Sequence, residues 1–309
     1  MQVVGRSKSG GEEMRMKRIV LLALILVFAG VLVLSHSSVQ RTSNGIIAFI
    51  TDWGSRDWYV GAVKGVALSI FPEATIVDIT HDVPPFELEE GAATLWFSSR
   101  EFPSGTVFVA VVDPGVGTER RPLVVHTEND MFFVGPDNGL FTYVMLDFGV
   151  KAVYQITNES FMKPPVSYTF HGRDIFTPTA ANLAAGRKVS DVGPEITDYI
   201  MFDVGAAYIE NGIIYGEVMN HDQYGNLRTN VTRKYVDELG LTFGDRIKLT
   251  VEGKTIETVF VNTYGDVEVG EFLTYVASTD QFAIAINWGN AREYFDADIG
   301  SEVIIEKIK

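Results

Sequence analysis

The chain has 309 residues, of which 40 are acidic and 25 are Lys or Arg, giving a formal net charge of −15. This acidic balance argues against a protein that binds the nucleic-acid backbone, because that role needs a basic surface. Hydrophobic residues make up 46% and charged residues 21%, which is typical of a globular chain of one large or two ordinary domains. The sequence contains no cysteine, which excludes disulfides, thiolate metal sites and cysteine nucleophiles.

The first 45 residues differ in character from the rest. Arg15, Lys17 and Arg18 precede an apolar run over residues 19–34, and a polar run follows it. This order is typical of a secretory signal peptide, and an uncleaved N-terminal membrane anchor is the alternative. Both interpretations predict an exported or membrane-anchored protein whose remaining chain lies outside the cytoplasm. Membrane contact is expected only through residues 19–34.

From residue 46 onward, strand and helix patterns alternate. Continuous apolar runs predict buried strands, and apolar residues spaced by three and four predict helices. Strands are predicted at 46–51, 75–80, 106–112, 123–126, 131–134 and 152–156, and helices at 57–71, 87–102, from 139 and at 175–185. This order predicts an α/β domain over residues 46–203, with a mostly parallel, layered sheet and covering helices.

The pattern changes after about residue 203. Short strands are predicted at 213–219, 246–252, 255–261, 272–277, 282–287 and 302–308, with one short helix near Tyr235. Many short strands with turn signals predict a small all-β, barrel-like domain over residues 204–309. No GxGxxG, P-loop, HExxH or GxSxG motif is present, and the five histidines lack ligand spacing, so no metal site is expected.

Two segments directly follow predicted strands of the α/β domain, where open α/β sheets place ligands. The segment TDWGSRD holds Asp52, whose carboxylate can accept from both hydroxyls of a ribose. It also holds Asp57, for which capping of the next helix is the alternative role. The segment DPGVGTER holds Asp113 and Arg120, which can pair across a loop whose glycines let a ligand approach the backbone. A tight turn with a structural ion pair is the alternative there.

Two more segments carry side chains suited to a ligand. In FHGRD, His171 stands at a helix entrance and can share a cleft with Asp113, although a single histidine is more often structural. In DQYGN, the ring of Tyr224 suits stacking on a purine, and the amide of Asn226 suits reading the edge of that base. A simple hairpin turn is the alternative for DQYGN.

Taken together, these segments resemble the S-adenosylmethionine hydroxide adenosyltransferase family, also called SAM hydrolases, whose relatives include the fluorinase and chlorinase. The resemblance spans residues 46–295 and is carried, in order, by TDWGSRDWYVGAVKG, VDITHDVPPFELEEGA, VVDPGVGTERR, VGPDNGL, TFHGRDIFTPTAA, DQYGN and ASTDQFAIAINWGNA. It implies an α/β N-terminal domain and a β-barrel C-terminal domain. It also implies a homotrimer, with each site between the N-domain of one subunit and the C-domain of its neighbour.

The resemblance further implies hydrolysis of S-adenosyl-L-methionine to adenosine and L-methionine, by attack of water or hydroxide at the ribose 5′ carbon. The family uses no metal or other cofactor for this reaction, and positions the water with an Asp–Arg–His set that matches Asp113, Arg120 and His171. The implied substrate contacts are Asp52 to the ribose diol, Phe86 beside the sugar, Asp57 and Asp222 to the ammonium, Tyr224, Asn226, Tyr264 and Trp288 to adenine, and Tyr275 and Ser278 to the amino-acid part.

Two alternatives to hydrolysis remain at this stage. One is a halogenase-like adenosyl transferase, against which the anionic Asp113 speaks, because its charge would repel a halide. The other is a non-catalytic exported protein that binds a nucleoside or SAM, which would fit the N-terminal segment but needs no Asp–Arg–His set. Thr279 stands where the halogenases have an arginine for the methionine carboxylate, so the partner of that carboxylate is not identified.

Overall fold

The computed structural model describes residues 43–308, whose N-terminal half is built on a six-stranded sheet. Its strands are β1 (Ile46–Thr51), β2 (Thr75–Thr80), β3 (Val107–Val111), β4 (Pro122–Thr127), β5 (Phe132–Pro136) and β6 (Val150–Gln155). They lie in the order β2-β1-β3-β5-β4-β6. Only β4 runs antiparallel to its neighbours within this sheet, so the predicted mostly parallel arrangement is confirmed.

Helices cover both faces of this sheet. The four helices are α1 (Tyr59–Ile70), α2 (Leu88–Ser99), α3 (Thr142–Phe148) and α4 (Thr177–Ala184). One face of β1, with Ile47 and Phe49, packs in a core with α1 and α4. The other face, with Ala48 and Ile50, packs in a core with α2 and α3. Because both faces are buried, the central strands are continuous apolar runs in the sequence.

The C-terminal half is a closed β-barrel. Its strands are β7 (Tyr208–Glu210), β8 (Ile213–His221), β9 (Leu227–Thr232), β10 (Arg246–Val251), β11 (Lys254–Phe260), β12 (Phe272–Val276), β13 (Gln281–Ile286) and β14 (Glu302–Lys307), and its helices are α5 (Arg233–Leu239) and α6 (Ala291–Phe295). Strands β8 to β14 form the ring, which closes where β14 pairs with β8, and β7 adds to the outside of β8. The predicted barrel is confirmed.

Strand β9 and helix α6 were not predicted. The sequence of β9, LRTNVT, buries Leu227, Thr229 and Val231 and turns the alternate residues outward, so it lacks a continuous apolar run. The stretch 192–207 holds no helix or strand beyond a single bridge between Tyr154 and Glu195, within the chain that the structure describes. The domain boundary at residues 203/204 stays a prediction.

The prediction of an exported or membrane-anchored protein is wrong. Among residues 43–308, the structure has no helix that is both long enough and apolar enough to cross a membrane. The signal peptide or anchor predicted in residues 1–45, with its proposed membrane contact at 19–34, falls almost entirely in residues 1–42, which lie outside the described range.

Candidate active site

A cavity of about 400 Å³ lies at the carboxyl ends of β1 and β3 in the α/β half. Its lining includes Asp52 from the loop after β1, Asp113 from the loop after β3, and His171 from the entrance to α4. Parallel strands end at the same edge of a sheet, which explains why segments far apart in sequence meet here. Three of the four segments singled out in the sequence therefore share one cavity.

Asp113, Arg120 and His171 form a hydrogen-bonded set at this cavity. Arg120 Nε donates to Asp113 Oδ1 at 3.1 Å, Arg120 Nη2 donates to Asp113 Oδ2 at 2.5 Å, and the same Nη2 lies 3.0 Å from His171 Nδ1. The side chains of Arg120 and Asp113 are only 7% and 5% exposed. A bidentate pair shielded in this way fixes both groups in one orientation.

The contact with Arg120 also determines the state of His171. A guanidinium can only donate, so His171 Nδ1 must accept, and the proton of a neutral ring sits on Nε2. Burial and then the positive charge of Arg120 lower the pKa of His171 below its usual 6.5. The imidazole is therefore neutral at pH 7, and its basic nitrogen is already occupied.

Two glycines let the loops around the set pack closely. Gly117 has φ +78°, and a Cβ on it would lie 2.3 Å from the carbonyl oxygen of Tyr168. Gly172 lies against the ring of Trp53, where a Cβ would come within 2.4 Å of a ring carbon. Gly172 also begins one turn of π-helix that leads into α4, a feature common near functional sites. Both loops thus require glycine at these points.

Asp52 is held at the rim of the same cavity. Its Oδ2 accepts from the backbone N–H of Phe86 at 3.2 Å. Burial raises the pKa of Asp52 against the opposing effect of that hydrogen bond, and the charge of Asp113 raises it further. Phe86 has φ +72° and is 67% exposed, so a strained backbone presents an apolar ring to solvent. Strain of this kind is typical of ligand-binding positions.

Asp57 precedes α1 and does not cap it. The helix begins at Tyr59, with Trp58 at the N-cap, and no side chain makes a capping hydrogen bond. The capping alternative is therefore wrong. Asp57 is exposed in the loop between Asp52 and Tyr59, both of which line the cavity, and its contact with substrate stays a prediction.

A second cavity, of about 640 Å³, lies on the barrel. Its lining residues are Asp222, Tyr224, Asn226, Tyr264, Ile286, Asn287, Trp288 and Gly289. Tyr224 is 67% exposed and Trp288 is 91% exposed, and Trp288 has φ +60°. Large rings held this far into solvent suit contact with a ligand or with another protein surface.

Asp222 organises the turn between β8 and β9. Its Oδ1 accepts from the backbone N–H groups of Tyr224 and Asn226, both at 3.0 Å, and its Oδ2 accepts from Asn226 Nδ2 at 2.9 Å. The predicted hairpin turn is thus present, and it holds Tyr224 and Asn226 at the second cavity. With one N–H of Nδ2 bound to Asp222, the carbonyl oxygen and the second N–H of the Asn226 amide remain for a base edge.

Tyr275 and Ser278 do not line either cavity. The hydroxyl of Tyr275 lies 2.6 Å from the hydroxyl of Tyr264, which does line the second cavity. Burial and this hydrogen bond raise the pKa of Tyr275, so its phenol stays protonated. Ser278 is exposed in the turn that follows β12. The predicted contacts of both residues with the amino-acid part remain predictions.

The sequence reasoning missed the aromatic wall of the first cavity. Phe170 makes edge contacts with Trp53, Trp58 and Tyr59, at centroid distances of 5.4, 5.6 and 5.2 Å. All four rings stand in the segments TDWGSRDWYVGAVKG and TFHGRD, so their recurrence beside the charged residues was the available signal. Within residues 43–308, no three His, Asp or Glu side chains are grouped as metal ligands.

Comparisons with known proteins agree with this architecture. The family model described as SAM hydroxide adenosyltransferase N-terminal domain matches residues 47–193, and that of the corresponding C-terminal domain matches residues 216–304. A relative from Salinispora tropica named (R)-S-adenosyl-L-methionine hydrolase is 37% identical over 83% of this chain and 96% of its own. A protein from Actinoplanes named fluorinase is 28% identical over 87% of this chain and 100% of its own.

A solved structure gives the same result for the fold. The crystal structure of an uncharacterized conserved protein from Thermotoga maritima superposes with a TM-score of 0.82 and 39% sequence identity. The match covers 84% of this chain and 99% of that protein. Both domain models, the sequence relatives and this structure agree over most of the chain, which belongs to the SAM hydroxide adenosyltransferase family.

Proposed function

We propose that the protein hydrolyses S-adenosyl-L-methionine to adenosine and L-methionine, by attack of water at the ribose 5′ carbon. The observation that carries this proposal is the buried Asp113–Arg120–His171 set, which opens into the same cavity as Asp52. The name of the Salinispora relative supports the reaction and specifies the R configuration, which we take as the preferred substrate.

In the proposed reaction, the carbon–sulfur bond breaks with its electron pair going to the sulfonium sulfur. The new bond forms between the water oxygen and the 5′ carbon, and one water proton is released. Because the leaving thioether is neutral, the protein need not protonate it. Its task is to align the water with the breaking bond and to exclude bulk solvent.

We assign acceptance of the water proton to Asp113. His171 Nδ1 is occupied by Arg120, so the ring has no free basic nitrogen. Each carboxylate oxygen of Asp113 has a second lone pair beside the one that Arg120 uses, and can accept from water. His171 then contributes through its Nε2–H and its fixed position. Asp52 accepts from the ribose hydroxyls, with Phe86 beside the sugar.

We further propose that the working protein is a homotrimer whose sites lie between subunits. The two cavities of the described chain share no lining residue. The side chains that the family resemblance assigns to the sugar line the first cavity, and those that it assigns to the base line the second. Each cavity also displays a strained, exposed ring, Phe86 in one and Trp288 in the other. Pairing the first cavity of one subunit with the second cavity of its neighbour would cover both rings and surround the substrate.

Halide transfer is the weaker candidate. The fluorinase relative keeps it open in the family, but a halide would have to approach the buried carboxylate of Asp113, and like charges repel strongly where solvent is excluded.

The test is incubation of the purified full-length protein with (R)- and (S)-S-adenosyl-L-methionine, with and without chloride or fluoride, and identification of the products by mass. We expect adenosine and methionine, lost on Asp113→Asn. A 5′-halo-nucleoside would contradict hydrolysis, and binding without turnover would contradict an enzyme. Light scattering that gives a monomer mass would contradict the trimer.

A further inference from the structure

The amino-acid end of the proposed substrate carries an ammonium and a carboxylate, and the carboxylate has no assigned partner. Thr279 cannot supply a positive charge, although it stands where the resemblance implies that the halogenases have an arginine. A carboxylate that enters a partly desolvated site needs a cation or several hydrogen-bond donors. Such a group is expected near Tyr275 and Asp222, the residues that the resemblance assigns to the amino-acid end of the substrate.

Strand register places Arg228 in this region. Tyr275 on β12 is paired with Ala283 on β13, Ala283 is paired with Arg228 on β9, and Arg228 is paired with Asn220 on β8. Residues paired directly across strands point to the same face of a sheet. Phe282 and its alternate neighbours on β13 belong to the barrel core, so this row of four lies on the other side of the barrel wall. Ala283 and Asn220 are buried there, and Arg228 lies over the ring of Phe97 from α2.

The row holds two polar side chains on either side of a small residue. Tyr275 and Arg228 are separated by two strand spacings, roughly 10 Å, and the residue between them is the small Ala283. The phenol of Tyr275 is in turn bound to Tyr264 at the edge of the second cavity. Ala283 itself is buried, so a ligand would reach the exposed part of the Arg228 side chain beside Asp222, which lines the second cavity.

Arg228 has donors to spare for such a ligand. Among the described residues, Nη1 donates to Asn220 Oδ1 at 3.0 Å and Nη2 contacts Asp222 Oδ2 at 3.4 Å. A guanidinium has five N–H donors, of which these contacts use two, and the Arg228 side chain is 25% exposed. The oxygen of Asp222 that Arg228 contacts, Oδ2, also accepts from Asn226 Nδ2 at 2.9 Å.

We propose that Arg228 binds the α-carboxylate of the substrate, beside Asp222, so that the two residues form a site for the zwitterion. An amino acid presents opposite charges on neighbouring atoms, and Arg228 and Asp222 present the complementary pair. This inference rests on the proposed function, and it makes Arg228 a specificity-determining residue for substrates that retain a carboxylate.

The rival cation is Arg100, whose Nη1 donates to the backbone oxygen of Thr279 at 3.2 Å. Its charge is already met by Asp147, at 3.7 Å, and it lies over the ring of Trp96. Arg228 is paired in a similar way, with Asp222 at 3.4 Å and the ring of Phe97. Arg100 differs in that its partner Asp147 lines neither cavity, whereas Asp222 lines the second one. Arg100 is a matched control for Arg228, since both are partly exposed arginines near the same segment.

The experiment compares S-adenosyl-L-methionine with its decarboxylated analogue, which keeps the sulfonium, the nucleoside and the ammonium. Arg228→Met should raise the KM for S-adenosyl-L-methionine about 10- to 100-fold, as loss of a charged hydrogen bond does, with kcat changed less than about 3-fold. The KM for the analogue should stay the same or fall, because Asp222 is freed for the ammonium. Arg228→Lys should recover part of the loss, and Arg100→Met should not change the preference.

Several results would overturn the proposal. They are equal use of both substrates by the unmodified protein, equal weakening of both by Arg228→Met, or a loss of preference that follows Arg100 instead. Failure of the proposed function is a separate result, because it would show as no adenosine from either compound. Calorimetric binding of the two compounds to the unmodified protein and to Arg228→Met would then still decide the role of Arg228.

Discussion

Removing the charge of Arg120 tests whether the buried set behaves as one electrostatic unit. In Arg120→Met, the carboxylate of Asp113, only 5% exposed, loses the guanidinium that holds both of its oxygens. Breaking a buried pair from one side costs about 3–5 kcal/mol, because an uncompensated charge remains. For a chain of this size, that corresponds to a fall of roughly 6 to 20 °C in the melting temperature. Urea unfolding followed by circular dichroism measures the change directly.

A double-mutant cycle and a surface control complete this test. Asp113→Asn combined with Arg120→Met should recover most of the lost stability, since no charge is left unpaired, while adenosine release stays abolished. Arg246→Met breaks an ion pair with Glu257 whose side chains are 66% and 58% exposed, and should cost less than about 1 kcal/mol. If Arg120→Met were as mild as Arg246→Met, the buried-pair reasoning would be refuted.

Three further predictions concern other parts of the site. Because the pKa of His171 is lowered, its neutral form persists below pH 6.5. We therefore expect kcat/KM to stay constant down to pH 6.5 and to decline only below it. A decline that begins above pH 6.5 would contradict this. Gly117→Ala should lower the melting temperature more than Gly212→Ala. Both glycines have φ near +78°, but only at Gly117 would a Cβ clash with a carbonyl oxygen, that of Tyr168. Equal falls in melting temperature would argue against this close approach. Tyr224→Ala should raise KM about 5- to 150-fold because stacking on the base is lost, whereas Tyr224→Phe should leave KM unchanged. Equal effects of the two variants would indicate that the hydroxyl, not the ring, binds the substrate.

The sequence predicts which side chains meet at one cavity where polar residues directly follow predicted strands. Asp52 and Asp113 each follow an apolar run, and the structure shows these runs as adjacent parallel strands. A carboxylate directly after an apolar run was therefore enough to predict that both lie at the same edge of the sheet. Tyr224 and Asn226 lie in a short turn whose geometry is local, and local geometry is the part that sequence spacing encodes most directly.

Features that depend on register could not be predicted in this way. Arg228 lies on β9, a strand whose alternating polar residues gave no continuous apolar signal, and its position opposite Ala283 follows from pairing between distant segments. The same holds for His81, which lies 2.9 Å from Thr51 at the end of β1 and contacts Asp78. His81 lies in the segment VDITHDVPPFELEEGA, yet only the folded sheet shows that it supports the end of the strand that precedes Asp52.

The closure of the barrel by β14 has a consequence for folding order. β14 is the last strand of the described chain, and it pairs with both β8 and β10, so each of these keeps an open edge until residues 302–307 have been synthesised. The six-stranded sheet is complete by residue 155 and can form much earlier during synthesis. The cavity that holds Asp113 can therefore form first, and the barrel that carries Tyr224 closes only once residues 302–307 are available. Exposed edges pair readily with other chains, so this interval is when a nascent molecule is most prone to aggregate.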